Sequence, residues 1–146
     1  KIPVSVKLSP NVHDIKEIAH AAEKAGADSI TAINTASGMV IDVDSRKPVL
    51  ANKIGGISGP ALKPIAVRCV YEIFEEVKIP IIGTGGVTYG KDAIEMIMAG
   101  ATAVGIGTGV FYRGVDVFKK VCSEMEQWMK KNKVKSLDEI RGCAHK

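Results

Sequence analysis

Apolar residues along the chain follow two alternating rhythms. Short β-branched runs at Ile2–Leu8, Ser29–Ile33, Pro80–Thr84 and Ala103–Gly107 predict strands, and the stretches between them carry apolar residues at spacings of three and four, which predict helices. The first helical stripe is Ile15, Ile18, Ala19 and Ala22, with Asn11 as its expected N-cap, Asp14 as the acid three residues on, and Gly26 as its stop. The second starts near Pro60, where a missing N–H costs nothing, and turns Leu62, Ile65, Ala66, Cys69, Val70, Ile73 and Phe74 inward. A third buries Ala93, Ile94, Ile97 and Met98 before Gly100, and a fourth buries Phe118, Val121, Cys122, Met125 and Trp128. The segment Ser136-Leu137-Asp138-Glu139 reads as a capping box opening a short final helix. From Asn34 to Gly59 no helical period is present, and a connection of that length is usually functional.

Four consecutive βα units imply a parallel α/β design. All four strands run into glycine-rich or polar turns, as if sharing one ligand-binding rim. A complete (β/α)₈ TIM barrel takes about 250 residues. The 146 residues therefore fit its carboxy-terminal half, strands five to eight with their helices, as one partial domain over residues 1–146. A doubly wound sheet fits the same count of units. Half a barrel leaves both edge strands unpaired and its inward apolar faces uncovered, so self-association or pairing with an amino-terminal half is expected. The chain opens at Lys1 in a strand-like run without an initiator Met, and an upstream segment is expected.

Composition narrows the function classes. The chain is 46% hydrophobic, with no apolar run long enough to span a bilayer and no leader pattern, so a soluble cytoplasmic protein with no membrane partner is expected. Cys69, Cys122 and Cys143 form no CxxC pair and have no histidine at ligand spacing, which suggests neither a metal site nor a disulfide framework. His13, His20 and His145 have no partner at useful spacing. The net charge of +4 owes much to Lys119, Lys120, Lys130, Lys131, Lys133 and Lys135. No recognition motif accompanies them, so they read as a solvated helix face and not as a nucleic-acid site.

Three glycine clusters carry the candidate chemistry: Gly83-Thr84-Gly85-Gly86, Gly105-Ile106-Gly107-Thr108-Gly109 and Gly55-Gly56-Ile57-Ser58-Gly59-Pro60. Backbone amides reach an anion where no Cβ intervenes, a following helix N-terminus adds a favourable dipole, and barrels build phosphate sites after strands seven and eight. Tight turns alone also use glycine. The third cluster can hold another part of the same ligand, making it longer than a bare phosphate. Lys7, near the end of the first strand, is either a surface lysine or a charge that stabilises an anionic ring such as a reduced flavin. Asn34 and Thr35 follow the second strand directly and can read a planar polar substrate, or simply make a turn. Asp42, Asp44, Arg46 and Lys47 read as solvated loop charges.

Through Val6-Lys7-Leu8-Ser9-Pro10-Asn11, Ile33-Asn34-Thr35, Gly55-Gly56-Ile57-Ser58-Gly59-Pro60-Ala61, Lys63-Pro64 and Gly83-Thr84-Gly85-Gly86, in that order, the chain resembles the catalytic subunits of the type B dihydroorotate dehydrogenase family. The resemblance implies a (β/α)₈ barrel with FMN at the carboxy-terminal strand ends. It implies FMN contacts at Lys7, Ile33, Gly59, Gly85, Gly86, Gly107 and Thr108, with Ser58 assisting, and contacts to dihydroorotate or orotate at Asn34 and Thr35. It further implies oxidation of dihydroorotate in pyrimidine synthesis, with electrons passed to NAD⁺ through a subunit bearing FAD and an iron–sulfur cluster. The family's catalytic base is a cysteine in the amino-terminal half, so no catalytic residue is assigned within this chain. Two other readings stand beside it. One is a flavin-free phosphate-binding barrel such as an isomerase or aldolase, against which Lys7 with Asn34 and Thr35 argues. The other is a non-catalytic interaction domain, against which the intact glycine clusters argue.

Overall fold

The structure, a computed structural model, describes residues 2–146. In chain order the elements are β1 (Ser5–Leu8), α1 (Ile15–Lys24), β2 (Ser29–Ala32), β3 (Ala36–Gly38), β4 (Ile41–Asp42), β5 (Lys47–Pro48) and β6 (Gly55–Ile57). A 3₁₀ turn at Pro60–Leu62 then leads into α2 (Lys63–Glu76), β7 (Ile81–Thr84), α3 (Gly90–Met98), β8 (Ala103–Gly105), α4 (Gly109–Arg113) and α5 (Val117–Asn132), and two 3₁₀ turns, Leu137–Glu139 and Cys143–His145, end the chain.

Two features of the main sheet decide between the architectures that fit the sequence. Its four strands are all parallel and ordered β1-β2-β7-β8, rising along the chain without the reversal that defines a doubly wound sheet. The helices also cover one face only. Strand alternation sends Leu8, Ile30, Ala32 and Ile81 into a core with Ile15 and Ala19 of α1, Ala66, Cys69, Val70 and Ile73 of α2, Ala93, Ile94 and Ile97 of α3, and Val117 and Val121 of α5. On the other face Ser5, Lys7, Thr31, Ile82, Thr84 and Ala103 are all exposed or half-buried. A monotonic parallel sheet with helices on a single side is a sector of a (β/α)₈ barrel.

That inner face differs from the apolar surface expected. Ser5 and Thr31 hydrogen-bond through their hydroxyls at 2.9 Å, and the cross-strand row Lys7, Thr31, Ile82, Ala103 holds one large apolar side chain. This is the face that a closed barrel turns toward its interior.

The long connection after β2 is not irregular throughout. β3 pairs with β6 and β4 with β5, each antiparallel, in strands too short for alternation to show in the sequence. Asp14, not Asn11, caps α1, its carboxylate accepting from the Lys16 amide at 2.8 Å. Ile18 and Ile65 are partly exposed, whereas Met96, outside the expected stripe, is fully buried. The final helix is reduced to a 3₁₀ turn, although Ser136 does cap it. Phe118 and Cys122 are exposed because they border an apolar groove of about 200 Å³ along β8, which has no strand on its far side among the described residues.

Two histidines find partners through the fold that linear spacing hides. His20 lies 3.0 Å from Glu76, and His145 stacks on Tyr71 at 3.7 Å while its Nε2–H donates to the Ala99 carbonyl at 3.0 Å. The tail is held further by the Gly142 amide, which donates to the Ile97 carbonyl, and by the Phe74 ring, which packs against both Gly100 and Gly142.

The cysteines consequently differ in reactivity. Cys69 is fully buried, and burial pushes its thiol up despite the neighbouring Arg68, whereas Cys122 is exposed. Treating the native chain with a thiol reagent is expected to modify Cys122 within minutes and to leave Cys69 unmodified until denaturant is added. Mass spectrometry of the labelled peptides checks this, and prompt native labelling of Cys69 would contradict the packing described.

Candidate functional site

The carboxy-terminal ends of the four parallel strands meet in a cavity of about 290 Å³. All ten residues expected to touch cofactor or substrate line it: Lys7 near the end of β1, Ile33, Asn34 and Thr35 after β2, Ser58 and Gly59 before α2, Gly85 and Gly86 after β7, and Gly107 and Thr108 after β8. Leu62, Thr84 and Val87 complete the wall. No residue of the group lies elsewhere.

The walls are tied together by short-range hydrogen bonds. The Thr108 hydroxyl donates to Ser58 Oγ at 2.9 Å, joining the turn before α2 to the one after β8. Ile33 is buried, and its amide donates to the Thr84 carbonyl at 2.8 Å, holding β2's end against β7's. Asn11, given no place in the site by its sequence context, orders the Asn34-Thr35 corner. Its Nδ2 donates to the Thr35 carbonyl at 3.1 Å, and its Oδ1 accepts from the Ser37 amide at 2.8 Å. The signal for this role was present in the motif, but it required knowing that the ends of β1 and β2 are adjacent.

The glycines divide by what they are for. Gly86 has φ +73°, and a Cβ there would lie 2.6 Å from Lys63 Cβ, 2.7 Å from the Lys63 amide nitrogen and 2.8 Å from the Gly59 carbonyl, so packing alone demands glycine. Gly107 is the opposite case. Its φ is not positive, and a Cβ there would meet nothing within 4 Å. Tight turning and packing leave the choice of glycine at 107 unexplained, whereas a ligand lying against its backbone explains it. The amides of Gly86, Gly107 and Thr108 donate to no main-chain carbonyl among the described residues, as an anion cradle requires.

The helix dipoles contribute less than the sequence suggests. The start of α3 is already occupied by carboxylates of the protein: Asp92 Oδ2 accepts from the Thr88 and Tyr89 amides at 3.0 and 2.8 Å, and Glu124 Oε2 accepts from the Gly90 amide at 2.6 Å. The amides left open to an anion are therefore those of the loops preceding α3 and α4 and not those of the α3 terminus. Glu124 also takes a hydrogen bond from Arg113 at 2.6 Å, which holds its carboxyl below the usual range, and Arg113 donates to the Thr88 carbonyl at 2.8 Å. Lys7 makes no ion pair among the described residues, so its charge is available to whatever enters the cavity.

Fitting a flavin mononucleotide makes three demands of such a site: unblocked amides for the phosphate, a cation for the ring and room where a side chain would otherwise stand. Gly86 with Gly107 and Thr108, Lys7, and the open position at Gly107 answer them in turn. None of Cys69, Cys122 and Cys143 lines the cavity, and no group of three or more metal-ligating side chains occurs among the described residues. Among the described residues no helix is long and apolar enough to cross a membrane.

Comparison with known proteins agrees with this geometry. The family model for dihydroorotate dehydrogenase matches residues 1–129. The chain is 54% identical over 145 residues to a protein of Methanocaldococcus jannaschii named dihydroorotate dehydrogenase B (NAD(+)), catalytic subunit, covering 99% of this chain and 47% of that protein. It is 50% identical over 145 residues to the protein of the same name from Methanothermobacter thermautotrophicus, covering 99% and 48%. A solved structure of dihydroorotate dehydrogenase from Eimeria tenella in complex with ferulenol superposes with a TM-score of 0.83 at 28% identity, over all of this chain and 39% of that one. The chain spans about half the length of the curated relatives it matches.

Proposed function

The chain belongs to the dihydroorotate dehydrogenase family, and from that premise we propose that it forms the FMN-gripping half of an enzyme that oxidises dihydroorotate to orotate in pyrimidine synthesis. The observation that carries the reading is the gathering of ten residues from five separate chain segments around one cavity at the strand ends.

In this reading residues 1–146 are one part of a barrel domain. Gly86, Gly107 and Thr108 hold the phosphate through their amides, and Gly59, Gly85 and Ile33 shape the wall along the rest of the cofactor. Lys7 stabilises negative charge on the ring, and Asn34 and Thr35 orient the substrate through paired amide and hydroxyl groups. Bound FMN supplies the hydride acceptor for the oxidation. The base that takes the substrate's proton lies in the amino-terminal half. Electrons then pass to NAD⁺ through a partner subunit carrying FAD and an iron–sulfur cluster, in keeping with the name catalytic subunit borne by the relatives.

Joining residues 1–146 to the amino-terminal half of the Methanocaldococcus jannaschii relative tests the proposal. The expected product is yellow, and dihydroorotate bleaches its flavin absorbance under anaerobic conditions. A colourless, folded product that binds sugar phosphates but no flavin would replace the reading with that of an isomerase or aldolase.

A further inference from the structure

Resting on the flavin reading, we propose that Lys63 is a positioning residue for the anion cradle, locking the Gly85–Tyr89 loop against the turn at Gly59. Lys63 opens α2, and its ammonium reaches across to α3, where Nζ lies 2.8 Å from Asp92 Oδ1 and 2.6 Å from Glu95 Oε2. The other oxygen of Asp92 accepts the Thr88 and Tyr89 amides, so the lysine's charge fixes the loop through one intermediate side chain. The backbone of Lys63 acts on the same loop directly. Gly86 rests on the Lys63 amide and on the Gly59 carbonyl so closely that no Cβ fits between them.

The charges are placed to persist. The hydrogen bonds that Lys63 donates to Asp92 and then to Glu95 raise its ammonium above its ordinary value. Burial pushes the Asp92 carboxyl up, but bonds from Lys63 and the Tyr89 and Thr88 amides outweigh it and leave that carboxyl low. The bridge is therefore ionised throughout the neutral range. From the opposite side Arg113 holds the Thr88 carbonyl. The Thr88 peptide is thus gripped at both its amide and its carbonyl, two residues after Gly86. Lys63 itself does not line the cavity, which makes it a positioning group and not a ligand contact.

The test compares FMN with riboflavin, which lacks the phosphate, on the full chain. Dissociation constants from flavin fluorescence are measured for wild type, Lys63→Met, Lys63→Arg and Glu95→Gln, and the Gly86 amide resonance is followed during titration with inorganic phosphate. Lys63→Met is expected to weaken FMN about tenfold or more, as loss of a charge-assisted contact does, and riboflavin by less than about threefold. Lys63→Arg restores most of the FMN affinity, and Glu95→Gln, which spares the Asp92 contact, has the smaller effect. Equal weakening of both flavins by Lys63→Met would mark a merely structural role and overturn the inference, as would unchanged FMN binding. Wild-type affinity no greater for FMN than for riboflavin would also overturn it while sparing the flavin reading. If wild type binds phosphate but no flavin, the flavin reading fails alone, and the inference then stands or falls on whether Lys63→Met abolishes the phosphate-induced shift at Gly86. A chain binding neither flavin nor phosphate would overturn both.

Discussion

Replacing Gly107 by valine is expected to abolish flavin binding and leave the fold untouched. A Cβ at this position meets no atom within 4 Å, and the backbone there does not need glycine's left-handed freedom, so the cost to stability stays within about 0.5 kcal/mol. The side chain instead stands in the cavity, over an amide with no protein acceptor. A branched group there keeps an anion from reaching the amide, and a loss of about 100-fold in FMN affinity, roughly 2.7 kcal/mol, follows. Gly107→Ala falls between wild type and valine. Flavin fluorescence titration beside a thermal melt makes the measurement. Normal FMN binding by a well-folded valine variant would remove the phosphate from this turn.

At Gly100 the same kind of substitution has the opposite result, a loss of fold with no direct effect on the site. Gly100 has φ +123°, a conformation costing an L-residue about 1–3 kcal/mol, and its Cβ would overlap Cβ, Cγ and Cδ2 of Phe74. Overpacking of that kind adds about 1–3 kcal/mol. Together these take about 2–6 kcal/mol from a domain whose whole stability is of the order of 5–15 kcal/mol, so Gly100→Ala gives up a large share of the folding free energy and unfolds at clearly lower denaturant. Urea denaturation followed by circular dichroism reads the loss. Adding Phe74→Leu, which vacates part of the ring's space, recovers the packing part and leaves the backbone part. A Gly100→Ala chain as stable as wild type would mean that the clasp formed by Phe74, Gly142 and His145 is not held as described.

How much of this was legible depended on the range of the interaction concerned. Periodicity located the four sheet strands and the main helices, since burial of one face repeats along the chain itself. It missed β3 to β6, where two or three residues per strand are too few to alternate. It misjudged Phe118 and Cys122 because the apolar stripe of α5 is wider than the surface covering it: β8 ends the sheet, and the outer flank of the stripe meets no further strand. The cap of α1 was placed at Asn11 because that residue suits capping, yet Asn11 is drawn off to Thr35 and Ser37 by an adjacency that only the parallel pairing of β1 with β2 creates. The residues that line the cavity stand out in the sequence as glycine clusters and polar groups at strand ends, but turns and exposed surface use the same residue types, and only the packing of the strands brings these ten to one cavity. The network behind them, Lys63 with Asp92 and Arg113 with Glu124, was not readable. Its members lie 29 and 11 positions apart and look like ordinary surface charges until the helices are packed.

The hydroxyls on the inner face of the sheet bear on how such a barrel closes. Ser5, Ser29, Thr31 and Thr84 are exposed or half-buried in the open sheet; Ser5 and Thr31 already bond each other, whereas on enclosure Ser29 and Thr84 each give up water at about 1–3 kcal/mol unless a partner replaces it. Enclosing this surface therefore yields little of the gain that an apolar one would provide. The driving force shifts to the two seams, where the free edges of β1 and β8 offer main-chain groups and the groove beside Phe118 and Cys122 offers apolar area.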